Sequence, residues 1–208
     1  MFLILIRHGQ TTANQLKISQ GWMDFDLSFE GKQEILEKRE KIFEFISTNF
    51  DIKRIYTSDL KRAYKTSNLI FKNKFPTTKT ISLREINLGI HSGTNDEQWQ
   101  KIHPESFSEI KIKKNFYYKI PSGESYKEFD KRVWSFTKKK IAENLQSKKT
   151  LIFVSHKDVI RSIIKNLQKI PNENYFEIKP PKNIDLKIFK LFGNSENIKV
   201  EKFEEKEF

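Results

Sequence analysis

The sequence contains no cysteine, which excludes disulfides, thiolate nucleophiles and thiolate metal sites together. With only four histidines it also lacks the makings of a histidine-rich metal cluster, so neither a metal nor any other cofactor is expected. Long apolar runs are missing too. The longest, Met1 to Ile6, falls far short of the roughly 20 residues that span a bilayer, and Arg7 ends it before a secretory segment can develop. The protein is therefore expected to be cytoplasmic, with no membrane partner. Arginine is scarce as well: Lys and Arg together number 39, and only seven are Arg. Lys is the default surface cation, and an Arg in such a chain marks a place that needs a planar, bidentate donor.

The net charge is +12, which suits nucleic acid, an anionic membrane or a phosphorylated small molecule without choosing among them. Although 32% of residues are charged, 18 Phe, 6 Tyr and 3 Trp argue for a packed core. No repeat and no Gly/Ser- or Pro-rich linker divides the chain, so residues 1–208 read as a single domain.

Leu3-Ile4-Leu5-Ile6 and Leu151-Ile152-Phe153-Val154 are short apolar runs of the kind buried parallel strands show, and Ile52 to Tyr56 is a weaker third. Helical periodicity follows the last two, at Leu60, Ala63, Tyr64 and Ser67, and at Val159, Ile160, Ile163, Ile164 and Leu167. Ser28 opens a further helix to about Ile46, and Ser125 with Glu128 reads as a capping box before another. Strands alternating with helices predict an α/β fold: a three-layer α/β/α sandwich around a mostly parallel central sheet. Residues from about 93 to 123 show little periodicity and read as a small capping insertion that shapes a pocket mouth. The alternation of Ile184, Leu186, Ile188 and Lys190 suggests a returning strand, antiparallel at a sheet edge, and the tail 201–208 is expected to fray.

The first strand runs into Arg7-His8-Gly9, and the strand at 151–154 runs into Ser155-His156. In open α/β sheets ligands bind beyond the carboxyl ends of the strands, so neighbouring strands would bring His8 and His156 to one crevice. Arg62, in the first turns of the helix after the third strand, joins them. Singly, His156 reads equally as a core histidine and Arg62 as a solvated helix residue. Together, two guanidinium forks and two imidazoles match a phosphoryl group: the forks bind its oxygens and a neutral imidazole can act as nucleophile, without a metal.

Further motifs accompany these residues: Arg7-His8-Gly9-Gln10-Thr11 with Asn14, Gln20-Gly21, Asp24 and Leu27-Ser28; Ser58, Leu60, Arg62, Ala63 and Thr66; Leu83-Arg84-Glu85 with Gly89 and Gly93; Pro121 to Ser125 with Phe129 and Arg132; and Val154-Ser155-His156 with Arg161. In this order and spacing the set resembles the histidine phosphatase superfamily, in its phosphoglycerate-mutase-like branch, over about residues 3–190. In length and layout it is most similar to the broad-specificity and α-ribazole phosphatases. The resemblance implies that His8 forms a phosphohistidine, that Arg7, Arg62 and His156, helped by Asn14, bind the phosphoryl oxygens, and that Glu85 is the general acid and then base. Gln20, Gly21 and Lys157 are taken as further substrate-binding positions. It implies no metal.

Three positions depart from the family pattern. His91-Ser92 replaces a Trp-Glu-like pair, and His91 is expected in a surface loop rather than pointing into the pocket as an extra donor. Lys157 stands where Gly is frequent: either its stem turns to solvent, or its ammonium meets a second anionic group of the substrate. Asp26 stands where Pro is usual, a turn change. Mutases of the superfamily carry a longer basic and aromatic insertion after the catalytic Glu, and residues 86–120 show no such sequence, so hydrolysis of a small-molecule phosphate monoester is expected over phosphoryl transfer. A non-enzymatic basic module that binds nucleic acid is the third reading. It is disfavoured because Arg7, His8, Arg62, Glu85 and His156 are all present and no RNA-binding motif is. No pattern in the chain addresses its oligomeric state.

Overall fold

The computed structural model describes all 208 residues. Its centre is a six-stranded sheet in the order β3-β2-β4-β1-β5-β6, built from β1 (Phe2–Arg7), β2 (Ile52–Ser58), β3 (Thr77–Thr80), β4 (Thr150–Ser155), β5 (Leu186–Gly193) and β6 (Ile198–Lys206). The strands β1 to β4 pair in parallel, while β5 runs antiparallel to β1 and β6 antiparallel to β5. Seven helices accompany it: α1 (Thr12–Gln15), α2 (Phe29–Asn49), α3 (Lys61–Phe71), α4 (Asp96–Ile102), α5 (Pro104–Phe107), α6 (Tyr126–Ala142) and α7 (Lys157–Leu167).

The side-chain alternation of β1 explains why its run is apolar throughout. Leu3 and Leu5 pack with Phe129 and Val133 of α6 and Val159 and Ile163 of α7, whereas Ile4 and Ile6 pack with Ile35 and Ile42 of α2 and Ile70 of α3. The sheet is buried on both faces, which is the expected α/β/α sandwich. Ser125 caps α6 in a capping box with Glu128, as its sequence indicates.

Register brings the functional strand ends together. Arg7 lies opposite Ser155, and the His8 N–H donates to the Ser155 carbonyl at 2.9 Å. β2 flanks β4 on the other side, so α3 starts at the same edge with Arg62 in its first turn.

Two expectations at the C-terminal end differ from the structure. β5 is not the sheet edge, because β6 covers it. The tail does not fray: Ile198–Lys206 pairs along β5, and the Phe203 ring lies 4.7 Å from that of Phe189. The pairing jumps from Lys190↔Lys202 to Leu191↔Val200, leaving Glu201 as a bulge. That extra residue puts Val200 and Phe203 on the same face although they are three apart, which erases the period-two signal in a Lys- and Glu-rich segment. β3 escaped the sequence reading because four residues of Thr and Lys at an edge carry no apolar pattern.

The segment from 93 to 123 contains α4, capped by Asn95 and Gln98, then α5 and a wide five-residue turn over Ser108–Ile112. It is stitched to the Glu85 segment at Gly89, whose φ of +49° is left-handed and whose Cβ, if present, would lie 2.0 Å from the Pro121 carbonyl oxygen. The nearest atoms there, from Pro121, Ser122 and Gly123, are all backbone and cannot yield. Gly89→Ala is expected to cost about 1–3 kcal/mol and to lower Tm by roughly 3–10 °C in a thermal melt. A melt unchanged within 1 °C or so would show that this seam has slack.

Candidate active site

A cleft of about 690 Å³ opens at the carboxyl edge of the parallel strands, with Arg7, His8, Arg62 and Glu85 among the residues lining it. His8 is nearly inaccessible, and its Nδ1 lies 2.7 Å from the Gly9 carbonyl oxygen. A carbonyl only accepts, so Nδ1 carries the proton and Nε2 presents a lone pair. Burial, with the cations Arg62 and Arg7 nearby, holds the imidazole well below its usual pKa and therefore neutral at pH 7.

His156 has the complementary tautomer. Arg62 Nε donates to its Nδ1 at 3.2 Å, which leaves the proton on Nε2. That Nε2–H is buried and has no partner in the protein. His156 is likewise held well below its usual pKa, by burial and then by Arg62, His8 and Arg7. The two rings lie 5.2 Å apart, His8 lining the cleft and His156 fully buried beside it.

Arg62 is fully buried, and besides His156 it donates to the carbonyls of Met23 (2.8 Å) and Gly21 (2.9 Å). Burial lowers its pKa to about 10, which leaves it charged at pH 7. Its fork is thus used in part to shape the 21–23 loop, where Gly21 adopts a φ of +49°. Arg7 donates from Nη1 to Pro181 O at 3.0 Å, while its buried Nε has no partner. Asn14 also lines the cleft; its Oδ1 accepts from the Thr11 N–H and hydroxyl in a capping box on α1, leaving its amide NH₂ for a ligand. Gln20 lines the cleft with a buried, unpartnered Oε1.

Glu85 lines the cleft, its Oε1 accepting from the Ile86 N–H at 3.1 Å and its Oε2 from the Asp158 N–H at 3.4 Å. Burial, and then the negative charge of Asp158, raise its pKa to about 7, against the opposing pull of Lys157 and Arg62. Its main chain is fixed from two sides: Trp22 Nε1 donates to its carbonyl at 2.8 Å and Arg132 Nη2 at 3.2 Å. Arg132 also holds Glu124 with two bonds of 2.8 Å and reaches the carbonyls of Ser82 and Arg84. No three His, Asp or Glu side chains converge as metal ligands.

The family model of the histidine phosphatase superfamily (branch 1) matches residues 3–202. The chain belongs to that superfamily.

Among curated relatives, a 2,3-bisphosphoglycerate-dependent phosphoglycerate mutase from Buchnera aphidicola is 32% identical over 85% of this chain and 87% of its own. One from Bacteroides fragilis is 28% identical over 96% and 89%. Among solved structures, a mycobacterial glucosyl-3-phosphoglycerate phosphatase superposes with a TM-score of 0.82 at 21% identity, covering 100% of this chain and 98% of that one. The α-ribazole phosphatase from Shigella flexneri gives 0.78 at 23%, covering 96% and 94%.

In this histidine phosphatase superfamily member one of the three departures is misread by sequence. His91 is not a surface loop residue. It is fully buried, stacked 4.1 Å from Trp99, and its Nε2 lies 2.6 Å from Ser106 Oγ. Burial, and then His103, lower its pKa to about 4, so it is neutral and fastens α4 and α5 as an aromatic wedge. Trp99, which it supports, lines the cleft. Lys157 is the first residue of α7 and lines the cleft with its side chain 44% exposed, Nζ 3.8 Å from Asp158 Oδ2. Sequence reasoning did not single out Asp158 or Asn183, whose Nδ2 donates to the His8 carbonyl at 2.6 Å. Asp158 follows His156 by two residues and could have been found from that proximity; nothing local marks Asn183.

Proposed function

We propose that this protein is a phosphatase that hydrolyses a small-molecule phosphate monoester through a phosphohistidine on His8. The observation that carries this reading is the pairing of a neutral His8, Nε2 unprotonated, with a carboxyl at Glu85 that keeps a large share of its proton near pH 7. In the first step the Nε2 lone pair attacks phosphorus, the P–O ester bond breaks, and Glu85 gives its proton to the leaving alkoxide. In the second step Glu85 takes a proton from water, the resulting hydroxide oxygen bonds to phosphorus, and the N–P electron pair returns to Nε2. Arg7, Arg62, the His156 Nε2–H and the Asn14 amide bind the phosphoryl oxygens and stabilise the charge that builds on them. Gln20 and the Gly21 turn shape the floor of that subsite.

Hydrolysis is preferred to mutase chemistry because residues 86–120, although they include the basic and aromatic run Lys111–Lys119, do not form the longer insertion that the superfamily's mutases carry after the catalytic Glu. The alignment with the Bacteroides fragilis mutase also runs over 228 positions although this chain has 208 residues, so that relative carries segments this one lacks. The mutase reading is the second one, favoured by the names of the curated relatives. The reading includes a phosphorylated metabolite as partner and the cytoplasm, where such metabolites abound, as location; no helix is long and apolar enough to cross a membrane.

A screen of phosphorylated metabolites for released phosphate, run beside phosphoglycerate isomerisation with a bisphosphoglycerate primer, tests the proposal. Phosphate release that exceeds isomerisation supports it; isomerisation that dominates overturns it in favour of the mutase.

Lys157 is assigned to a second anionic group on the substrate. Lys157→Gly is expected to raise KM roughly tenfold for monoesters carrying a second phosphate or carboxylate and to leave p-nitrophenyl phosphate within about twofold. An equal change on both substrate types would return Lys157 to a solvated surface role.

A further inference from the structure

Asp158 is a buried carboxylate at the edge of the active site, and the two chemical steps above give it no work. It occupies the second position of α7, directly after the cleft-lining Lys157, and its own N–H donates to Glu85 Oε2. It cannot swing away. Arg161 Nη1 is paired to its Oδ1, Lys157 Nζ stands 3.8 Å from its Oδ2, and its carbonyl accepts from the Tyr175 hydroxyl at 3.2 Å. Arg161 is in turn tied down by its Nε, which donates to the Ile178 carbonyl at 3.0 Å.

We propose that Asp158 is a positioning residue for the general acid: a fixed anion that keeps the proton on the Glu85 carboxyl until the leaving oxygen takes it. The inference rests on the phosphatase reading for its use of that proton, though not for the proton's location. Two carboxyl groups held in one low-dielectric corner do not both ionise readily, so the one with the stronger cationic contacts takes the charge and the other takes the proton. Asp158 has the ion pair with Arg161; Glu85 has none.

The groups facing Glu85 fit this division. From α7 come Lys157 and Arg161, from α3 Arg62, and from the end of β1 Arg7, all cations that favour the ionised carboxylate, while Arg132 of α6 lies against the Glu85 main chain with its charge paired to Glu124. Tyr126 of α6 and Tyr175 of the 172–177 turn are kept as neutral phenols by burial, and His8 and His156 are neutral. Asp158 is the anion that burial works with against four cations. Its own carboxyl is pushed up by burial but held below the usual carboxylate range by Lys157, Arg161 and Arg7.

The sign of the effect follows. Asp158→Asn keeps the shape and a bond to Arg161 but removes the negative neighbour, so Glu85 should ionise at lower pH. Lys157→Met removes a positive neighbour and should move it the other way. An Asp kept only because it suits the first turn of a helix would leave the Glu85 midpoint unmoved in Asp158→Asn.

The test is a pH titration of the full-length free protein labelled with ¹³C at the Glu carboxyls, the Glu85 signal being assigned by its loss in Glu85→Gln. The expected result is a Glu85 midpoint near 7 that falls by about one unit or more in Asp158→Asn, tenfold in proton affinity, and rises in Lys157→Met. In parallel, the alkaline limb of kcat/KM for an alkyl phosphate should move down in Asp158→Asn, so that the loss at pH 8 is at least about five times the loss at pH 5.5. A Glu85 midpoint that does not move in folded Asp158→Asn, or a loss equal at all pH values, overturns the proposal. If the titration shifts as expected but the wild type hydrolyses no phosphate monoester, including p-nitrophenyl phosphate, the phosphatase reading has failed and the placement of the proton stands. Should Asp158→Asn not fold, the wild-type Glu85 midpoint still decides: a midpoint near 4.5 overturns the proposal.

Discussion

Replacing His8 with Ala should leave a folded protein that forms no phosphoenzyme and turns over phosphate monoesters at least roughly 10⁴-fold more slowly than wild type. The expectation comes from one ring. Its Nδ1 proton is committed to the Gly9 carbonyl, its Nε2 lone pair faces the cleft, and burial beside Arg62 and Arg7 keeps it from protonating at neutral pH. No other side chain can substitute, because the neighbouring imidazole, His156, is buried and has its lone pair occupied by Arg62. Brief incubation of wild type with labelled substrate, quenched in base, should yield one phosphate per chain that is stable to alkali and released by acid. Absence of such a species during active turnover would rule out the covalent route.

The second large effect belongs to Glu85. Glu85→Gln should lower kcat/KM for alkyl monoesters by about 10²–10⁴ and for p-nitrophenyl phosphate by less than about tenfold, since a nitrophenolate leaves without a proton. The comparison is made in kcat/KM because that parameter covers steps through phosphoryl transfer to His8, whereas kcat also includes hydrolysis of the phosphoenzyme, in which Glu85 acts on every substrate alike. Equal losses in kcat/KM on both would remove Glu85 from the role of acid. The pH dependence has a definite sign: the acid form is required, and its pKa is about 7, so kcat/KM for alkyl esters should fall as pH rises above 7. The acidic limb should be weak, because His8 is neutral well below its usual range.

What could be read from the sequence divides along a physical line. β1 and β4 were legible because a strand buried on both faces must be apolar at every position, and the residues that follow them, His8 and His156, inherit their place from the strand ends. Arg62 was legible from the helix that starts at the same edge. The resemblance then supplied Glu85, whose segment has no periodicity of its own. What was not legible depends on contacts distant in sequence. The environment that lifts Glu85 is burial first and then the charge of Asp158, 73 residues away, and the loop carbonyls that engage Arg62 lie about 40 residues before it. His91 was misjudged because a polar residue between Ile90 and Ser92 gives no hint that Trp99 and Ser106 will close over it. β6 was missed because its bulge at Glu201 breaks the alternation on which strand recognition rests.

The position of β1 in the sheet sets a timetable for the nascent chain. Its partners on either side are β4 and β5, and the carbonyl of the nucleophile is held by Asn183, 175 residues further on. At a synthesis rate of about 5–20 residues per second, roughly ten to thirty seconds separate the making of His8 from its capture in a finished site. Until β4 is made the strand Leu3–Ile6, apolar on both faces, has neither of its hydrogen-bonding edges paired, and its β5 edge stays open longer still, the condition under which nascent chains engage holding chaperones or one another. A ribosome stalled before β5 carries every one of the site's chemical groups on a β1 that can pair only on its β4 side, its other edge still open.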